Sequence, residues 1–295
     1  MGIRRRHFLL SLLGTGACGV LGTSYIRFFE PGWFEVNYEK LNPHIFQSKT
    51  PLKILHLSDF HASHVVPYRL IEKAIDTGLT QSPDFICITG DFISAKIDNP
   101  DEYKRILSKL SDFAPTFACI GNHDGGRWAV NAGGYKDRSA IENLLTGSRI
   151  HVLFNQKEIL DVKDQKIEIV GLGDFWARDL FPEKVMSAKR KENRPVLVLS
   201  HNPDSKEQLM DYDWDVMLCG HTHGGQLKIP FTGTTPFAPV RDHRFVEGLH
   251  IWENRHLHIT RGVGNLHGIR FNCRPQVSVL TASEKMDTTL REASI

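Results

Sequence analysis

The chain reads as a string of short apolar runs, each stopped by glycine or a polar residue and separated by amphipathic stretches, and few folds accept that rhythm. Lys53–Ser58, Asp84–Thr89 and Thr116–Ile120 carry nearly continuous apolar residues, the mark of strands buried on both faces. Helical spacing fills the gaps, over Pro67–Thr80 and Pro100–Asp112. This βαβ order predicts a mainly parallel sheet covered by helices. The second half predicts further strands at Val152–Leu160, Lys166–Leu172, Pro195–Leu199 and Asp215–Cys219, then short ones at Gln226–Ile229, His256–Thr260 and Gln276–Leu280, with a helix over Phe181–Lys191. The expected fold class is α/β: two facing mixed β-sheets flanked by helices. With 41% apolar residues in 295, the chain can bury a core of that size.

Ligands of parallel α/β sheets bind beyond the carboxyl ends of the strands, where successive loops converge. Here those positions carry Asp59 and His61, then Asp91, then Asn122, His123 and Asp124, then His201, and last His221 and His223. Each element alone is weak, since an Asp-x-His or a lone histidine is commonly a turn or a packed side chain. Five such segments, all at strand ends, point to one site. Carboxylate, amide and imidazole groups without thiolates suit catalytic divalent ions such as Mn²⁺, Fe²⁺ or Zn²⁺ better than a structural zinc. The five cysteines form no C-x-x-C pair, and Cys87, Cys119 and Cys219 sit inside strand-like runs as small hydrophobes. Gly90, Gly121 and Gly220, next to the ligands, allow close backbone approaches.

The order D-x-H, G-D, G-N-H-D, H, G-H-x-H, from about Leu52 to Leu280, resembles the calcineurin-like metallophosphoesterase superfamily. Glu30-Pro31-Gly32-Trp33-Phe34-Glu35, Ser200-His201-Asn202-Pro203-Asp204 and Gly220-His221-Thr222-His223-Gly224-Gly225-Gln226 are similar to its membrane-associated subgroup of bacterial phosphodiesterases and UDP-2,3-diacylglucosamine pyrophosphatases. The resemblance implies a four-layer sandwich and two divalent metal ions, with Mn²⁺ favoured over Fe²⁺ or Zn²⁺. It puts Asp59, His61 and His223 on one metal, Asn122, His201 and His221 on the other, and Asp91 between them. His123 is then implied as general acid or transition-state stabiliser beside the leaving group. Asp124 is its orienter, or else only a turn carboxylate. Soluble UDP-diacylglucosamine hydrolases that resemble this family carry arginine in place of His123, so no arginine role carries over.

The front of the chain is unusual. Arg4-Arg5-Arg6-His7 precede a stretch without charge from Phe8 to Ile26, just long enough to span a bilayer, and Arg5-Arg6-His7-Phe8-Leu9 matches a twin-arginine export signal. We therefore divide the sequence into an N-terminal signal or anchor segment (1–29), a metallophosphoesterase domain (30–283) and a loose tail (284–295), and expect association with the inner membrane. The domain is periplasmic if the export signal is used. A net charge of +2 with scattered basic residues gives no reason to expect nucleic acid. The expected partners are the membrane and a phosphodiester or pyrophosphate substrate, with a lipid-linked one favoured. The leading expected function is dimetal hydrolysis of such a bond, with UDP-2,3-diacylglucosamine, giving lipid X and UMP, the favoured substrate. The rivals are a broad-specificity periplasmic phosphodiesterase and a metal-binding scaffold of the same fold.

Overall fold

The computed structural model describes residues 22–46, 50–190 and 192–282. The run from Phe8 falls mostly outside these residues, and so does the tail. Twelve strands build the frame: β1 (Glu35–Leu41), β2 (Leu52–Leu57), β3 (Phe85–Thr89), β4 (Thr116–Cys119), β5 (His151–Val152), β6 (Gln156–Val162), β7 (Gln165–Gly171), β8 (Val196–Leu199), β9 (Val216–Cys219), β10 (Gly248–Trp252), β11 (Arg255–Ile259) and β12 (Gln276–Ala282). They form two six-stranded mixed sheets, ordered β1-β12-β2-β3-β4-β5 and β10-β11-β9-β8-β7-β6. Strands β2 to β5 run parallel, as do β7, β8, β9 and β11.

Alternation along each strand explains the layers. Leu52 and Ile54 of β2 point between the sheets, where they meet Phe85, Phe117, Ile167, Ile169, Leu197 and Leu218. Leu55 and Leu57 point the other way, under the helices. Helix α1 (Tyr68–Leu79) buries Ile71, Ala74, Ile75 and Gly78, and α2 (Pro100–Phe113) buries Tyr103, Ile106, Leu107 and Leu110, each set one stripe at helical spacing. Asn99 caps α2 by accepting from the Glu102 amide at 3.2 Å, with Pro100 at the first helical position. Two shorter helices follow, α3 (Arg127–Asn131) and α4 (Ser139–Gly147).

Three sequence expectations give way. The helix over Phe181–Lys191 is only a 3₁₀ turn, Pro182–Lys184. Beyond it the Ser187 carbonyl accepts from the Asp213 amide and the Arg190 guanidinium spans Asp213 and Asp215, contacts that tie the chain to the segment before β9 in place of a helix. The run Val152–Leu160 splits at Asn155, whose φ of +50° carries the chain from one sheet to the other. Gln226–Ile229 forms no strand; it makes a single bridge, Leu227 to Phe271. Strands β1 and β10 have no counterpart in the sequence reading. Among the described residues no helix is long and apolar enough to cross a membrane.

Candidate metal centre

All eight strand-end residues, together with Asp124, converge at one edge shared by the two sheets, and all are buried. Loop contacts tie them together: the Asp59 amide donates to the Gly90 carbonyl, the His61 amide to the Asp91 carbonyl and the Gly220 amide to the His201 carbonyl. Asp59, His61, Asp91, His221 and His223 all hold positive φ, between +47° and +69°. For non-glycine residues this is a costly conformation, and it turns side chains inward that an extended strand would splay apart. Gly121 and Gly220 make room for it. A Cβ on Gly121 would fall on the Asp91 carboxylate, and one on Gly220 on the carboxylate of Asp59.

The ring and carboxylate atoms gather in two outer groups and a third, His61, Asp91 and His123, that overlaps both. In the first, His61 Nε2 lies 3.0 Å from His223 Nε2, and Asp59 Oδ1 lies 3.4 Å from His223 Nε2 and 3.8 Å from His61 Nε2. In the second, His221 Nδ1 lies 3.3 Å from His201 Nε2. Asp91 belongs to both: its Oδ2 is 3.3 Å from His61 Nε2 and 3.1 Å from His201 Nε2. His123 also comes within 4.8 Å of His61 and Asp91.

The donor set fits divalent cations. Asn122 Oδ1 is buried with no hydrogen-bond donor facing it, an arrangement that costs free energy unless a cation balances it. His201 Nδ1 faces the Thr89 carbonyl at 2.6 Å, and because a carbonyl only accepts, that nitrogen carries the proton and Nε2 faces the cluster. Burial pushes His221 and His223 well below the ordinary imidazole range and also lowers His61, so these rings keep free lone pairs near neutral pH. Burial alone would raise the Asp91 carboxyl, but the rings of His201, His123 and His61 outweigh it and hold Asp91 well below the usual carboxylate range. Burial likewise opposes a proton on His201; the Asp91, Asp59 and Asp174 carboxylates overcome this and raise its pKa, a proton with which a divalent ion would compete. Asp59 moves up, chiefly through burial.

The contact expected from Asp124 to the ring of His123 is not made. Its carboxylate accepts instead from the backbone amides of Asp91, Phe92 and Gly121, at 2.7–2.8 Å, and so locks two ligand loops together. Three amide donors face the carboxylate, but burial first and the Asp91 charge second push its pKa up to about 8. The His123 ring is oriented by the Ser94 carbonyl, 3.0 Å from Nδ1, and by the edge of Trp128, with centroids 4.3 Å apart. Ser94, Thr89 and Arg270 are supports that the sequence did not reveal, since two of them act through backbone carbonyls. Arg270 is fully buried and donates to the carbonyls of Arg261 at 2.7 Å and of His223 and Cys273 at 3.2 Å. Arg270→Met should strip those carbonyls of their donors and lower unfolding free energy by about 2–4 kcal/mol in urea titrations.

A cavity of about 400 Å³ opens over Asp91, Asn122, His123 and His221. Its far wall is apolar, with Trp128, Trp176, Leu227, Phe237, Leu266 and Ile269. Trp176 stands edge-on to His221 at 4.2 Å between centroids, so the metal edge and the apolar wall are continuous.

Comparison with known proteins agrees with this geometry. Residues 52–225 match the model of the calcineurin-like phosphoesterase family. The chain is 44% identical to phosphodiesterase YaeI of Escherichia coli, over 94% of this chain and 98% of the relative. It is 31% identical to the uncharacterized metallophosphoesterase YkuE of Bacillus subtilis, over 94% of this chain and 96% of that one. It is 29% identical to the UDP-2,3-diacylglucosamine pyrophosphatase LpxG of Chlamydia trachomatis, over 90% of this chain and 94% of the relative. With the family's fold, a pair of His/Asp clusters suited to two metals and relatives matched almost end to end, the chain belongs to the calcineurin-like phosphoesterases and is a metal-dependent phosphoester hydrolase.

Proposed function

We propose that the chain hydrolyses a phosphodiester or pyrophosphate bond at a two-metal site, with Asp59, His61, Asp91 and His223 on one cation and Asp91, Asn122, His201 and His221 on the other. The observation that carries this reading is the place of Asp91 Oδ2, within 3.3 Å of one ring from each cluster. When bound, two such cations polarise a phosphoryl group and lower the pKa of water. The protein supplies the rest. Asp124 holds the Asp91 and Asn122 loops at fixed separation through three amides. His123 Nδ1–H donates to the Ser94 carbonyl, which leaves Nε2 as the ring atom available to a leaving oxygen. Trp128 and Trp176 supply apolar walls beside His123 and His221 on the cavity side.

The apolar wall favours a substrate with an apolar portion next to its phosphate, and the likeness to LpxG makes UDP-2,3-diacylglucosamine, cleaved to lipid X and UMP at the membrane, the first to assay. A second reading, a broad-specificity phosphodiesterase in the periplasm, draws on the likeness to YaeI and on the twin-arginine pattern at Arg5-Arg6. Mn²⁺ is the first metal to test, followed by Fe²⁺ and Zn²⁺.

The assay is direct. Purified full-length protein with Mn²⁺ should hydrolyse bis(p-nitrophenyl) phosphate, lose that activity on chelation and regain it on readdition of metal. Release of UMP from UDP-2,3-diacylglucosamine supports the lipid reading. Turnover of simple diesters without UMP release leaves the broad phosphodiesterase. A folded, metal-loaded protein inert toward both removes the proposal.

A further inference from the structure

The mouth of the cavity carries exposed apolar residues that the chemistry does not use. Phe231 is fully exposed, Phe237 is 71% exposed and Ile229 is 46% exposed, all on one loop. Between Gln226 and Pro239 the one charged side chain is Lys228, and it is turned aside in an ion pair with Glu247. That loop is stitched to the cavity's other lip by the Lys228 amide on the Phe271 carbonyl and the Phe271 amide on the Gln226 carbonyl, both 2.9 Å. The second lip, Leu266 to Phe271, also lines the cavity.

The N-terminal segment meets the same lip. The Ile26 carbonyl accepts from the Arg270 amide at 3.0 Å, and the Arg27 guanidinium donates to the Gly268 carbonyl at 2.7 Å. Phe28 and Phe29 beside it are 75% and 66% exposed. Ile26 is also where the uncharged run that starts at Phe8 ends. The end of that run, Ile26, is therefore fixed at the rim of the catalytic cavity, next to exposed apolar side chains.

The geometry points to a bilayer-docking lip: Ile229, Phe231, Phe28 and Phe29 enter the acyl boundary of a phospholipid membrane, and the cavity opens onto that surface. The enzyme then draws amphiphilic phosphodiesters laterally out of the bilayer, the headgroup reaching the metals while the apolar part stays on the Leu227, Leu266 and Ile269 side. This rests on the hydrolase reading above and adds the surface from which the substrate comes.

The test uses the full-length protein in vesicles of equal parts phosphatidylcholine and phosphatidylglycerol, with either natural or dibrominated acyl chains. In Phe231→Trp, the added tryptophan should be blue-shifted and lose about half its emission in brominated vesicles relative to natural ones, beyond the change in the parent, as a residue at 5–10 Å depth does. An anchor that merely tethers the domain leaves that emission unquenched and overturns the lip. The kinetic arm compares soluble bis(p-nitrophenyl) phosphate with p-nitrophenyl hexadecyl phosphate embedded in the vesicles. Ile229→Glu with Phe231→Glu should leave the first unchanged and cut the second by about tenfold or more. Equal rates for parent and variant on the embedded diester would refute docking. A parent inert toward both substrates would instead strike at the hydrolase reading itself.

Discussion

Asp91→Ala is expected to abolish hydrolysis of bis(p-nitrophenyl) phosphate, with a fall in kcat of at least about 10⁴-fold. Its side chain reaches both outer clusters: Oδ2 stands 3.3 Å from the His61 ring and 3.1 Å from the His201 ring. On the proposed two-metal reading, its loss would remove a negative charge from between the two cation sites and one ligand from each. The remaining groups, neutral imidazoles, an amide and Asp59, carry a single carboxylate for two divalent ions, so at least one ion should leave. Asp91 Oδ1 also accepts from the His123 amide at 2.9 Å, so alanine would loosen the loop as well as the metals. Asp91→Asn separates the two effects, because an amide oxygen can still accept that bond while the charge is gone. Metal content by plasma emission should fall in both variants, and turnover should fall in both by a similar factor. Asp91→Asn with full metal occupancy and near-normal turnover would remove Asp91 from the bridging position.

The convergence of the candidate ligand residues at one edge was legible in sequence for a local reason. Each follows directly on a buried apolar run, and the end of such a run in a parallel sheet has only one place to be. Helices α1 and α2 were legible for the same kind of reason, a stripe of apolar residues at helical spacing opened by Pro67 in α1 and by Asn99-Pro100 in α2. What stayed hidden depends on contacts between distant segments. Strand β1 buries only its last residue, Leu41, leaving Glu35, Tyr38 and Lys40 exposed and the rest half-buried, and it becomes a strand by pairing in parallel with β12 at the other end of the chain. The task of Asp124 is set by amides on loops more than thirty residues upstream as well as by its own turn, which no tripeptide pattern records. Ser94 holds the His123 ring through a carbonyl oxygen that every residue possesses. The helix expected near Arg190 fails because Asp213 and Asp215, beyond the next strand, claim its guanidinium.

His123→Ala is expected to lower kcat by about 10²–10³-fold while metal content stays that of the parent, the size of effect that loss of a proton donor or a charge-stabilising group produces. The argument starts from which ring atoms are free. Nδ1 is committed to the Ser94 carbonyl at 3.0 Å, and Trp128 packs against the ring at 4.3 Å between centroids, so the imidazole is held at a set angle. It lines the cavity beside Asn122 and Trp128. A group so placed serves the departing oxygen, and its value depends on how badly that oxygen needs a proton. A p-nitrophenolate leaves readily without one, whereas an alkoxide does not. The loss in His123→Ala should therefore be steeper for a diester with an alkyl leaving group than for bis(p-nitrophenyl) phosphate, by a further factor of about ten. Equal losses for the two leaving groups would mean that His123 stabilises charge on the phosphoryl oxygens and transfers no proton. Loss of a metal ion from the variant would mean something else again: because His123 comes within 4.8 Å of His61 and Asp91, it would then belong to the ligand set, and the leaving group would have to be served by another residue.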